Sequence, residues 1–210
     1  MRFRVLSHAG LQVQAGNAEL LCDPWVLGSC YWRSWWNYPP PPDDIRTSLA
    51  PNFVYLTHLH WDHFQGPSLR LFPKDTRFIV PYCRCDRIRR DLHAMGFIDV
   101  TELHHGQRLQ LTPRLAVRSY HFAPIFTDSA LVIEADDVVI FNANDAKLAG
   151  WPLRQILADY PRIDFCMRSH NSANARQCMH IIGEPETQLD DNEHYVRAFA
   201  WFMRAVRPKY

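Results

Sequence analysis

Thr57-His58-Leu59-His60-Trp61-Asp62-His63 follows directly on the β-rich run Phe53-Val54-Tyr55-Leu56-Thr57. Alternate residues of an extended chain share a face, so the exit from that strand points His58 and His60 to the same side. A turn just beyond lets Asp62 and His63 face the same space from the other direction. Imidazole nitrogens and carboxylate oxygens are the donors that divalent transition metals take. Four such side chains within the six residues from His58 to His63 suit two cations held side by side. A solvated polar loop has no need of three histidines and a carboxylate at strand-end spacing.

The rest of the chain supplies a setting for that run. Its 210 residues predict one domain, 1–210, and 47% apolar against 21% charged residues fits a packed globular protein. With 23 Lys+Arg against 22 Asp+Glu the formal net charge is +1, which gives no bulk electrostatic case for a nucleic-acid or anionic-membrane partner. No uncharged apolar run reaches the roughly 18 residues that span a bilayer. Met1-Arg2-Phe3-Arg4-Val5 lacks the pattern of a signal peptide, so the expectation is a cytoplasmic protein. Six scattered cysteines without a C-x-x-C pair are then expected to be reduced thiols.

Secondary structure reads as short strands followed by interspersed helices. Phe3–Leu6, Leu11–Gln14 and Glu19–Cys22 are separated by the turn signals Ala9-Gly10 and Gly16-Asn17. Strands are expected again at Arg77–Val80, Val100–Leu103, Arg108–Leu111, Leu115–Tyr120, Ala130–Glu134, Val138–Asn142 and Ile163–Met167, with helices at Asp86–Met95 and Trp151–Tyr160. Tyr195, Val196, Phe199, Phe202, Met203 and Val206 form an apolar stripe at helical spacing. A doubly wound nucleotide fold is disfavoured, because neither G-x-G-x-x-G nor a Walker A loop is present.

At the histidine run the sequence resembles the metallo-β-lactamase fold superfamily, whose signature is H-x-H-x-D-H. The resemblance extends to Ser7-His8-Ala9-Gly10, Leu21-Cys22-Asp23-Pro24-Trp25, His121 after a later strand, and Asn142-Ala143-Asn144-Asp145. It implies an α+β, four-layer αββα sandwich. It also implies two divalent cations, zinc foremost with iron or manganese as alternatives. His58, His60 and His121 would hold one cation, and Asp62, His63 and Asp145 the other. His104 and His105 compete for the third-histidine place, but they precede what looks like the hairpin before the ligand strand. Water shared by two such cations has a pKa near ~7 instead of ~15.7, making hydroxide available at neutral pH. Asp62, orienting that hydroxide, and the bridging Asp145 are the catalytic candidates.

Within the superfamily the texture is similar to a branch containing ascorbate-phosphate lactonase, N-acylphosphatidylethanolamine phospholipase D and the metal domain of cytidine-monophosphate-N-acetylneuraminate hydroxylase. That similarity implies a hydrolase acting on an ester, lactone or phosphodiester of a small organic molecule. The alternatives are a diiron oxygenase and a catalytically silent metal-binding module. His8, Trp36, His170 and Asn171 are the candidate substrate contacts, with Trp32, Trp35, Trp36 and Tyr38 forming an aromatic lid before Pro39–Pro42. Family members continue past the amphipathic helix into a strand carrying one more metal histidine. The expectation from Arg207-Pro208-Lys209-Tyr210 is that this strand is lacking, leaving an open sheet edge at which copies of the chain associate.

Overall fold

The computed structural model describes residues 1–47, 50–122, 128–169, 180–181, 184–188 and 192–210. The chain opens with an antiparallel meander, β1 (Arg2–Ser7), β2 (Gly10–Ala15) and β3 (Ala18–Cys22). Leu11, Val13 and Ala15 are buried on one face of β2 while Gln14 is exposed on the other, the period-two pattern of a half-buried strand. The β2–β3 loop has two residues, and Gly16 occupies its first position at φ +60°. A type II′ hairpin turn requires that left-handed geometry there.

A short ribbon of β4 (Ser29–Cys30) and β5 (Trp35–Trp36) follows, then helix α1 (Asp43–Thr47). β6 (Phe53–Tyr55) pairs in parallel with β3 and is buried on both faces, as a central strand must be. Helix α2 (Gly66–Leu69), β7 (Arg77–Pro81), helix α3 (Arg87–Ala94) and β8 (Val100–Leu103) complete a six-stranded sheet of order β1-β2-β3-β6-β7-β8. The second sheet is the meander β9 (Arg108–Thr112), β10 (Leu115–His121), β11 (Ser129–Ala135) and β12 (Val138–Asn144). Helix α4 (Gly150–Asp159) then returns the chain to β13 (Phe165–Arg168), parallel to β12 and at the edge of the five-stranded sheet. A two-stranded ribbon, β14 (His180–Ile181) with β15 (Glu184–Gln188), precedes helix α5 (Asn192–Val206).

Three apolar layers hold these elements. Leu11, Val13, Leu20, Tyr55 and Ile79 from one sheet meet Leu115, Val117, Leu131 and Ile133 from the other. Behind the first sheet, Val54, Leu56, Phe78 and Val80 pack on Leu69, Phe72, Ile88 and Leu92. Behind the second, Val132 and Phe141 pack on Leu153 and Ile156 of α4 and on Phe202 and Val206 of α5. The result is an αββα sandwich. No helix among the described residues is long and apolar enough to cross a membrane.

Three local expectations are revised. β6 stops at Tyr55, because the Thr57 N–H turns inward to a carboxylate of Asp23 instead of continuing the ladder. The stripe on α5 is narrower than its sequence suggests: Phe202 and Val206 are buried, whereas Val196 is exposed. Beyond α5, the Lys209 and Tyr210 N–H groups donate to the carbonyls of Ile163 and Asp164, and the Tyr210 ring stacks on Phe165. Those residues therefore lie along the approach to β13. Cys22, Cys30, Cys83, Cys85 and Cys166 are free thiols, while Cys178 lies outside the described residues.

Candidate dinuclear metal site

The site forms where loops leave both sheets at one end of the sandwich. Asp23, just past β3, is fully buried and organises it. Its carboxylate accepts from the Thr57 N–H (2.8 Å), the Thr57 hydroxyl (2.7 Å), His63 Nδ1 (3.0 Å) and Asn144 Nδ2 (2.5 Å). Two chain segments distant in sequence are thereby tied to one anion.

With Nδ1 committed to Asp23, His63 presents Nε2 to Asp62 Oδ2 at 3.3 Å and Asp145 Oδ2 at 3.4 Å. That nitrogen is buried and makes no hydrogen bond within normal geometry. An imidazole oriented by a carboxylate on one side and orphaned on the other is the arrangement of a metal-binding histidine. A backbone turn in which His63 and Phe64 both donate to the His60 carbonyl brings the second half of the run back over the first. The rings of His58 and His63 come within 4.1 Å centroid to centroid.

Two triads result. His58, His60 and Asp145 form one, and His8, Asp62 and His63 the other, with the ligating atoms of each within 4.8 Å of one another. In the first, His58 Nε2 lies 2.7 Å from His60 Nδ1, and Asp128 Oδ1 is 4.0 Å from His58 Nε2. In the second, Asp62 Oδ2 is 2.7 Å from His8 Nε2, and Asp62 Oδ1 accepts from the Tyr31 hydroxyl at 2.8 Å. His8, Asp23, Tyr31 and Asn144 all have left-handed backbone, with φ of 48°, 43°, 46° and 51°. Four non-glycine residues in that region around one site is a concentration of strain typical of functional loops.

Electrostatics separate the groups. Burial alone would lower the His63 pKa, but Asp23, Asp145 and Asp62 outweigh it and hold it well above the ordinary histidine value. Burial pushes His58 down to about 3, assisted by the His63 charge. Asp62 stays far below the usual carboxylate range despite burial, because His63 and His8 stand beside it and the Tyr31 hydroxyl donates to it. Asp145 is likewise lowered against its burial by His63.

The other predicted residues fall at varying distances. His121 ends β10 and belongs to neither triad. Its ring is hydrogen-bonded to the Leu103 backbone, its pKa is pushed down to about 4 by burial and His105, and its Nε2 is buried without a partner among the described residues. Burial therefore favours its neutral form. His105 is occupied, its Nδ1 accepting from the His121 N–H and its Nε2 lying 3.0 Å from Gln155. Trp36 is exposed and donates to the Arg33 carbonyl, while Trp25 and Trp35 lie edge-on to His8 at 5.3 and 6.2 Å. His170 and Asn171 lie outside the described residues.

Asp23, Tyr31, Asp128 and Asn144 were not singled out by sequence reasoning as site residues. Asp23 and Asn144 sit in quoted motifs that signal them by position; Tyr31 carries no sequence signal, because only the fold of the β4–β5 ribbon brings it to Asp62.

No family profile matches the sequence. A protein of Mycobacterium tuberculosis named as a Rieske 2Fe-2S iron-sulfur protein is 30% identical over 183 residues, covering 82% of this chain and 35% of that protein. The cytidine monophosphate-N-acetylneuraminic acid hydroxylase of Danio rerio is 33% identical over 70 residues, 33% of this chain and 12% of that one. The chain spans about a third, or less, of the length of these curated relatives. Among solved structures, isothiocyanate hydrolase from Delia radicum gut bacteria superposes with a TM-score of 0.65 at 17% identity, over 83% of this chain and 73% of that one. CmlA, a diiron β-hydroxylase from Streptomyces venezuelae, does so with a TM-score of 0.62 at 18% identity, over 98% and 42%. Together with the αββα layering, these likenesses show that the chain has the metallo-β-lactamase fold.

Proposed function

We propose that this chain is a dinuclear metal enzyme that cleaves an ester, lactone or phosphodiester bond of a small organic substrate by hydrolysis. The observation that supports it above all is the meeting of two His/Asp triads at the orphaned Nε2 of His63. Nitrogen and oxygen donors without sulfur fit zinc, iron or manganese equally well. His58, His60 and Asp145 would hold one cation, with Nε2 of His121 as a further donor, and His8, Asp62 and His63 the other. Such cations, when bound, supply acidified water near neutral pH and polarise the scissile carbonyl or phosphoryl group.

The chain's own residues do the rest. Asp23 fixes the His63 tautomer, so that Nε2 is available as a ligand. Tyr31 holds Asp62 as the anion in one orientation, with its second oxygen directed at His8 and His63 in the second triad. Asp145, at the loop after β12, places negative charge between the triads. His8, held by Trp25, closes the site from the β1–β2 turn.

A diiron oxygenase is a second reading, favoured by the likeness to the Rieske protein and the hydroxylase in sequence and to CmlA in fold. Expression under iron-replete, anaerobic conditions followed by metal analysis and oxygen-uptake measurements separates the two. Turnover of an ester, lactone or phosphodiester panel without oxygen supports hydrolysis. Oxygen-dependent product formation with bound iron overturns it. Bound metal with no turnover of any kind points to a silent module. Replacing His58 and His60 together by alanine should abolish metal content, and stoichiometric metal in that variant would refute the assignment.

A further inference from the structure

A pair of thiols lies outside the triads. β7 runs parallel to β6, so the segment that follows it, Tyr82-Cys83-Arg84-Cys85-Asp86, leaves the first sheet at the same end as the histidine run. The Tyr82 N–H donates to the Leu103 carbonyl at 2.8 Å, and the Asp86 N–H to the Cys83 carbonyl at 2.9 Å. The segment is thus pinned to the end of β8 and closed as a turn, and it leads straight into α3 with Asp86 in left-handed backbone at φ 52°. Cys83 and Cys85, one residue apart in that turn, bring their Sγ atoms to 2.9 Å from each other.

The two thiols differ in setting. Cys83 is buried and Cys85 is exposed, whereas Cys22 and Cys30 are buried and Cys166 is half-buried. Burial pushes the Cys30 and Cys166 thiols up to about 12 and the Cys22 thiol well above its ordinary value. Cys85 moves the other way. The Cys83 thiol and the Arg87 N–H at the start of α3 stabilise its thiolate, and Arg90 adds positive charge. An exposed thiolate is a nucleophile, and a buried thiol in contact with it is placed to react second. Metal binding is the other use of paired sulfurs. Here no third ligating atom joins them among the described residues, and the nearby carboxylates of Asp86 and Glu102 are both paired with Arg89.

We propose that Cys83 and Cys85 form a thiol–disulfide exchange site for small-molecule disulfides, with Cys85 as the attacking sulfur and Cys83 as the resolving one. Cys85 Sγ, as the thiolate, attacks one sulfur of RS–SR, forming a mixed disulfide and releasing RS⁻. Cys83 gives up its proton to solvent, and its Sγ attacks Cys85 Sγ. That forms the Cys83–Cys85 bond, breaks the mixed disulfide and releases the second RS⁻. In the net reaction two hydrogens and two electrons pass from the protein dithiol to the small disulfide, which leaves as two thiols. Disulfides with an exposed sulfur are readily reduced, so an added dithiol reverses the step. The site makes no use of the triads and stands whether or not they hold metal.

Reaction of the whole chain with dithiobis(nitrobenzoate), followed by stopped-flow absorbance and then by peptide mass mapping, tests the assignment. Mapping separates any reaction at Cys178 from that at Cys83 and Cys85. The pair should release about two thionitrobenzoates and end as an internal disulfide that carries no adduct. The first release should be about threefold or more faster than from the urea-unfolded chain. Cys83→Ser should stop at about one equivalent with the adduct held on Cys85, and Cys85→Ser should lose the fast phase. Circular dichroism checks that the variants fold, and the wild-type mapping decides if either does not. A stable adduct on wild-type Cys85 overturns the proposal. So does a fast phase that survives in a folded Cys85→Ser chain, or a first release no faster than in urea.

Discussion

Replacing Asp23 by alanine removes the acceptor on which two distant segments of the site converge. Four donor atoms lose their partner: the Thr57 N–H, the Thr57 hydroxyl, His63 Nδ1 and Asn144 Nδ2. Two of them have a second acceptor in reach. The Thr57 hydroxyl lies 3.0 Å from His58 Nδ1, and Asn144 Nδ2 lies 3.1 Å from Thr57 Oγ1. The Thr57 N–H is left stranded in a fully buried space, and His63 Nδ1 keeps only a long 3.4 Å contact with the Thr57 hydroxyl. At roughly 1–3 kcal/mol for each buried unsatisfied donor, partly offset by relief of carboxylate desolvation, the expected loss is about 3 kcal/mol. Urea denaturation of the metal-free protein measures it. Metal affinity should fall by about 10–100-fold, because His63 loses the group that fixes its tautomer. A variant within about 0.5 kcal/mol of wild type and with unchanged metal affinity would refute the role given to Asp23.

Asp145→Asn keeps the shape and one oxygen but removes charge between the triads, so one of two metals and most turnover should be lost while circular dichroism stays the same. An unfolded variant would make Asp145 structural, and an unchanged two-metal protein would place it outside the site. Phe202→Ala empties a fully buried position between α5 and Phe141 and should cost about 3–5 kcal/mol in urea unfolding. A loss below about 1 kcal/mol would mean that α5 does not cap the second sheet in solution. Arg114 and the Met1 ammonium hold Asp136 down to about 2. Its folded pKa lies below the unfolded value of about 3.9, so its contribution is complete above that value and is lost as pH falls through about 2. Asp136→Asn should therefore flatten the pH dependence of stability between about pH 4 and 2, read from urea midpoints, and an unaltered slope would discount the pairing.

Period-two and helical patterning made most of the sandwich legible. Leu11, Val13 and Ala15 announce β2, and the strand over Val100–Leu103 has the bounds its sequence suggests. α1, α2 and the β4–β5 ribbon are too short to carry a period, so only tertiary contacts define them. The extent of β6 was misjudged because Leu56 and Thr57 have strand chemistry. The buried carboxylate that captures the Thr57 N–H lies 34 residues away in sequence.

The candidate site was legible to the same degree. Proximity within the His58–His63 run is local and follows from strand alternation and a turn. The pairing of His8 with Asp62, and of Asp145 with His58 and His60, depends on how the two sheets face each other. No spacing rule encodes that. His121, set by strand end and resemblance, stands outside both triads with its Nε2 unpartnered among the described residues. Tyr31 reaches Asp62 through three successive left-handed residues, Tyr31, Trp32 and Arg33, a path that propensity does not anticipate.

The central claim is that His58, His60 and Asp145 hold one cation and His8, Asp62 and His63 another. Anomalous diffraction from crystals of the metal-loaded chain, collected at the zinc and iron absorption edges, tests it most directly. Two peaks are expected, one within each triad and both within bonding distance of the named nitrogen and oxygen atoms. A metal-replete crystal with no peak between those residues, or with its metal held by other side chains, would contradict it.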